Sequence, residues 1–143
     1  MSTRSLIGIK NDEGLTFVYC HHDGYLEGVG KTLVENYKED SKINALLEHG
    51  SMSSLDAEIY KCDFYNEDDS DKPITIPDCE DIKERYYKCG QNSWADYLYL
   101  FENGKWYYTL IRVGTENDKL VYFPAQWELV TEGLDKIKKR RES

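Results

Sequence analysis

Four consecutive residues, Cys20-His21-His22-Asp23, carry the side chains best suited to chemistry in this chain: a thiol, two imidazoles and a carboxylate. A few residues on, Gly28-Val29-Gly30-Lys31-Thr32 ends like a phosphate-binding loop. Consecutive strand residues point to opposite faces, so the first four cannot close one tetrahedron around zinc, and Cys20 with His22 is the largest subset on one side. His49 and the cysteines at 62, 79 and 89 stand at spacings that match no zinc pattern, so neither a metal nor another cofactor is expected. The phosphate loop fails on register. The motif needs a glycine five residues before Gly30, where Tyr25 stands, and Gly24 lies one place too early. What remains is a glycine-rich helix start whose free amides would suit an anion, with His22, Asp23, Tyr25, Lys31 and Thr32 as candidate ligand-binding residues. Nothing in this set specifies a reaction, and no catalytic residue is assigned.

The elements that must position these residues are legible in outline. Residues 5–10 and 15–21 are β-rich runs separated by Asn11-Asp12-Glu13-Gly14, which predicts a hairpin. Val29, Leu33, Val34 and Tyr37 have the spacing of a helix face, and Ser41 is placed to cap a second helix that stops at Gly50. A helical turn is expected around Leu55, Ile59 and Tyr60, and a brief helix over 81–88 that ends at Gly90. Residues 97–101 and 105–112 flank Asn103-Gly104, a strong hairpin signal; after a loop at 114–118 a further strand runs over 119–123. Trp127, Val130, Leu134 and Ile137 then predict a helix over 127–139 with cations in its last turn. The expectation is one α+β domain, residues 1–143, with an antiparallel sheet built from two hairpins plus a further strand and flanked by three to four helices. The aromatics around residues 94–108 read as core and cross-strand pairing, with a stacking surface as the alternative, in which the row Tyr97, Tyr99 and Phe101, opposite Leu98 and Leu100, is open to a partner.

Charge narrows the partners. The chain of 143 residues has a net charge of −9, yet residues 136–143 hold five Lys/Arg against one Glu, so the rest carries −13. Such a body repels phosphate backbones, which argues against direct nucleic-acid binding and suits a basic protein partner. Eight of the nineteen residues from 63 to 81 are acidic, and Pro73 and Pro77 bracket Ile74-Thr75-Ile76, so this stretch reads as an acidic loop or insertion. Asp68, Asp69 and Asp71 within it are the candidate protein-binding residues. No apolar run reaches the length of a membrane span, and four cysteines without paired spacing point to a reducing cytoplasm.

The opening Met1-Ser2-Thr3-Arg4-Ser5-Leu6-Ile7-Gly8-Ile9, the segment Tyr19 to Tyr25, residues 28–37 and 47–55, and 95–107 together resemble a family of small uncharacterised phage and prophage proteins. Its His-Trp-Asp-Gly-Tyr stands here as His21-His22-Asp23-Gly24-Tyr25. The resemblance covers most of the chain and implies a phage accessory protein acting in the host cytoplasm against host defence. Two readings follow. One is a non-catalytic, anti-CRISPR-like inhibitor whose acidic face occupies the basic surface of a CRISPR effector or nuclease. The other is a sponge that sequesters a nucleotide immune signal at the Gly24 to Lys31 turn.

Overall fold

The computed structural model describes residues 2–65 and 71–142. β1 (Ser5–Asn11) and β2 (Gly14–Cys20) form the first hairpin, whose turn is held by the Asn11 side chain accepting from the amides of Glu13 and Gly14. One π-helical turn (Leu26–Gly30) leads into α1 (Lys31–Asn36) and α2 (Asp40–Glu48). The short strands β3 (Met52–Ser54), β4 (Asp63–Phe64) and β5 (Ile74–Pro77) precede α3 (Ile82–Asn92). β6 (Tyr97–Glu102) and β7 (Lys105–Leu110) make the second hairpin, and β8 (Val113–Glu116) and β9 (Lys119–Tyr122) a separate two-stranded ribbon. β10 (Glu128–Leu129) and α4 (Val130–Glu142) complete the chain. The main sheet runs β10-β7-β6-β1-β2-β3-β4, with β5 also paired to β2.

The α+β class and both hairpins are as expected, but the sheet is mixed. β1 and β6 lie parallel, from Ser5↔Tyr97 to Ile9↔Phe101, and β2 meets β3 in parallel at Cys20↔Met52, after a connection that includes the Gly24 to Lys31 turn. The reason is burial on both faces. Leu6 to Ile9 and Leu98 to Phe101 are unbroken apolar runs (Gly8 apart), which suit central strands, and the two hairpins join along them. Ile7, Ile9, Tyr99 and Phe101 enter one core beneath α1 and α2, with Leu33, Ile43, Leu46 and Val130. Leu6, Leu98 and Leu100 enter the other, against Ile82, Tyr86 and Tyr87 of α3. Tyr99 and Phe101 are therefore buried and Tyr97 half-buried, so this aromatic row is core, the favoured reading of the sequence, and not a stacking surface.

Several boundaries move for identifiable reasons. α2 starts at Asp40 with Glu39 as its cap, not Ser41, and ends as expected at Gly50, whose φ of +86° suits glycine. The segment 55–61 yields only a 3₁₀ turn at Ile59–Lys61, after β3. Gly90 does not stop α3. It lies inside the helix because a Cβ there would stand 2.5 Å from Leu98 Cδ2 and 2.7 Å from Ile111 Cδ1, so only glycine lets α3 lie this close to the sheet. The loop expected at 114–118 is mostly ribbon, closed by Asn117 and Asp118 at positive φ, and the strand after it pairs only with β8. The last helix begins at Val130 because Glu128 and Leu129 pair with Tyr108 and Tyr107.

The stretch 63–81 is not loop throughout. β4 pairs with β3, and β5 pairs antiparallel with β2 from Gly14↔Pro77 to Phe17↔Ile74, burying Ile76. Pro73 and Pro77 withhold amide donors on this outer strand, a usual way of blunting a sheet edge.

At the end of α3 the amide of Ala95 donates to Gly90 and that of Trp94 to Gln91, a Schellman motif that puts Trp94 at the position glycine favours, with φ of +59°. Trp94 is 73% exposed, so little packing holds it there. Trp94→Gly is therefore expected to stabilise the fold by about 0.5–1 kcal/mol, read by denaturant unfolding; a lower midpoint would show that the indole is structural.

Candidate functional site

The residues singled out first surround the turn that follows β2. His21 and His22 continue the strand, their amides donating to Met52 and Ser53 carbonyls, and the chain then turns at Asp23 with φ of +57°. Gly24 is fixed from two sides: its amide donates to Thr3, and its carbonyl accepts from the buried Tyr99 hydroxyl at 2.6 Å. The amides from Gly28 to Lys31 are spent within the turn and are not free for an anion. Gly28 and Gly30 donate to the Tyr25 carbonyl, Val29 to that of Asp23, and Lys31 back to Gly28 and Leu26. A phosphate there would have to displace the bonds that form the turn.

The candidate ligand residues do not gather around one space. His22 Nδ1 lies 3.0 Å from Ser2 Oγ, and the Tyr25 hydroxyl donates to Asp23 at 3.4 Å on an exposed loop. Thr32 spends its hydroxyl on the Gly28 carbonyl, 3.0 Å away. Lys31 instead lines a groove between α1 and α4 with Glu27, Glu35 and Ile137. Arg141 reaches Glu27 there at 2.5 Å, so part of the basic tail is tied back to the acidic body. Cys20 is buried with its thiol donating to the His22 carbonyl, and burial pushes its pKa up to about 12, which leaves no thiolate for nucleophilic work near neutrality. Among the described residues no three His, Cys, Asp or Glu side chains converge to hold a metal ion.

His21 is the most chemically distinctive member. Its Nδ1 lies 2.8 Å from the Tyr19 hydroxyl and its ring meets His22 edge-on at 4.6 Å. Partial removal from water, then His22 and Arg4, push its pKa below the ordinary 6.5. The folded chain thus holds a neutral ring, and the unfolded chain takes up a proton first as pH falls; this contribution to stability is complete above about 6.5 and is lost below it. In an NMR titration the His21 midpoint should lie below 6.5, and His22→Ala should raise it. A midpoint at or above 6.5 would contradict the geometry.

The acidic residues are distributed differently from the expectation. Asp68 and Asp69 lie outside the described residues, while the Asp71 carbonyl accepts the Ser51 amide at 2.6 Å. A second concentration sits at one end of the sheet, where the β1–β2 turn meets the exit of β5: the Asp78 amide donates to the Glu13 carbonyl at 3.2 Å. Asp12, Glu13, Asp78, Glu80 and Asp81 are all exposed there. Lys10 lies 3.9 Å from Asp78 and Arg85 3.1 Å from Asp81, whereas Asp12, Glu13 and Glu80 make no ion pair with any described residue. A hydrogen bond from the Cys79 thiol, then Arg85, hold the Asp81 carboxyl below its ordinary range, which keeps it charged. Sequence reasoning missed this tip because Asp12 and Glu13 read as turn residues; they meet 78–81 through a strand pairing between segments some sixty residues apart and the Asp78–Glu13 bond that extends it.

No family model, curated protein or solved structure matches the chain. Among the described residues no helix is long and apolar enough to cross a membrane.

Proposed function

We propose that the protein is a non-catalytic inhibitor that covers the basic, nucleic-acid-binding surface of a host anti-phage defence protein, a CRISPR effector or nuclease, in the cytoplasm of the infected bacterium. The observation that carries this reading is the acidic tip, where two chain segments joined by the Asp78–Glu13 backbone hydrogen bond carry five exposed acidic residues, three of which have no counter-ion among the described residues. Carboxylates already desolvated by a partner would be unhelpful, but exposed ones can meet Lys and Arg side chains that otherwise hold phosphates. The net charge of −9 and the likeness of the sequence to phage accessory proteins point the same way. The acidic stretch around Asp68, Asp69 and Asp71 belongs to the same proposal as a second contact.

The test uses two variants as bait in host lysate: one neutralises the tip (Asp12→Asn, Glu13→Gln, Asp78→Asn, Glu80→Gln, Asp81→Asn), the other Asp68, Asp69 and Asp71. Wild-type protein is expected to retain a basic nucleic-acid-binding protein at low salt and release it as salt rises, because contacts between exposed charges are screened within about 10 Å at 0.1 M. The tip variant should retain about tenfold less or worse while keeping the wild-type circular dichroism spectrum. Equal retention by the tip variant, or binding indifferent to salt, would refute the assignment.

A further inference from the structure

One face of α3 borders a cleft of 460 Å³, closed on its other side by the end of β9 and the segment that follows it. That volume falls within the roughly 300–1,000 Å³ of small-ligand sites. Its walls are aromatic: Tyr87 on the helix side, and Tyr122, Phe123 and Trp127 opposite. They are preformed. The Tyr87 hydroxyl donates to the Phe123 carbonyl at 2.8 Å and accepts the Arg112 amide at 3.3 Å, while the Trp127 ring stacks on buried Tyr86 at 6.2 Å and 9°. Phe123 rests the edge of its ring on Gly114 of β8, where a Cβ would stand 3.0 Å from the ring, and remains 49% exposed beside the cleft.

The rim carries cations within an otherwise acidic body. Lys83 and Lys88 stand there against Glu84. Glu102 holds Lys83 at 2.9 Å, but Lys88 is exposed and makes no hydrogen bond or ion pair with any described residue. We propose that this cleft binds a small planar aromatic molecule carrying an anionic group, with the ring against Phe123 and Trp127 and the anion at Lys88. Stacking on aromatic faces holds a planar ring without contacts to its edge, and a point cation at the mouth orients the charged end. A nucleoside monophosphate and an aromatic carboxylate share this chemistry.

The site is tested without any partner, so its failure leaves the reading of the acidic tip untouched. Tryptophan fluorescence is followed in the Trp94→Phe protein, in which Trp127 and the buried Trp106 remain, during titration with AMP, adenosine, benzoate and inorganic phosphate. Saturable quenching by AMP or benzoate is expected, and the tighter of the two identifies the source of the anion. Adenosine should bind about tenfold more weakly than AMP, and phosphate should leave the emission unchanged. Lys88→Ala should reduce AMP to the level of adenosine, and Phe123→Ala should weaken both with the circular dichroism spectrum intact. The proposal is overturned if none of the four ligands quenches saturably, if Lys88→Ala binds AMP like wild type, or if amide shifts on binding fall outside residues 82–92 and 122–127.

Discussion

Tyr86→Ala is expected to lower stability by about 3–5 kcal/mol, the range for deleting a large buried aromatic ring. Tyr86 has no solvent exposure; its ring packs tilted on Phe17 at 5.3 Å and stacked on Trp127, and its hydroxyl donates to the Tyr99 carbonyl at 2.6 Å. Gly8 is shaped to it, since a Cβ there would stand 3.0 Å from that hydroxyl. Tyr86→Phe keeps the ring and removes the bond, so it should cost only about 1–3 kcal/mol. Urea unfolding of the pair separates packing from hydrogen bonding. If Ala and Phe were equally mild, α3 would not be anchored to the sheet in the way described.

Excision of residues 72–78, bridged by a short Gly-Ser linker, should cost about 3 kcal/mol or more, or about 10 °C in Tm. The segment contains β5, whose loss removes the pairing with Gly14 to Phe17, the burial of Ile76 against the second core, and the Thr16–Thr75 hydroxyl contact at 2.9 Å. It would also leave β2 with an open apolar edge at Leu15 and Phe17, so aggregation should accompany the lower Tm. An excised protein that melts with the wild type would restore the reading of this stretch as a removable loop.

The sequence carried the hairpins because their signals are local: Asn11 and Asn103-Gly104 are turn residues flanked by strand formers. It could not carry the parallel join of β1 to β6, which depends on residues some ninety positions apart and leaves only the weak trace of two apolar runs. β5 was obscured by its neighbours, since three residues between prolines amid eight acids look like linker until Ile76 is seen in the core. Gly90 read as a stop for the same reason: close helix–sheet approach requires glycine as much as a helix end does. For the site, the sequence identified chemically able residues from Cys20 to Thr32, but their hydrogen bonds turn them to holding the chain after β2. The acidic tip and the aromatic cleft both arise where segments distant in sequence meet, and composition alone does not place them.

The claim that an acidic surface displaces nucleic acid from a basic partner is tested most directly by competition. The protein retained in the salt-dependent capture is purified and bound to a fluorescein-labelled oligonucleotide, and fluorescence anisotropy is followed as the acidic protein is added. The account predicts that anisotropy falls to the free-oligonucleotide value near one equivalent, and that the tip-neutralised variant needs about tenfold more protein or fails altogether. Anisotropy that stays constant, or rises as a ternary complex forms, would contradict it.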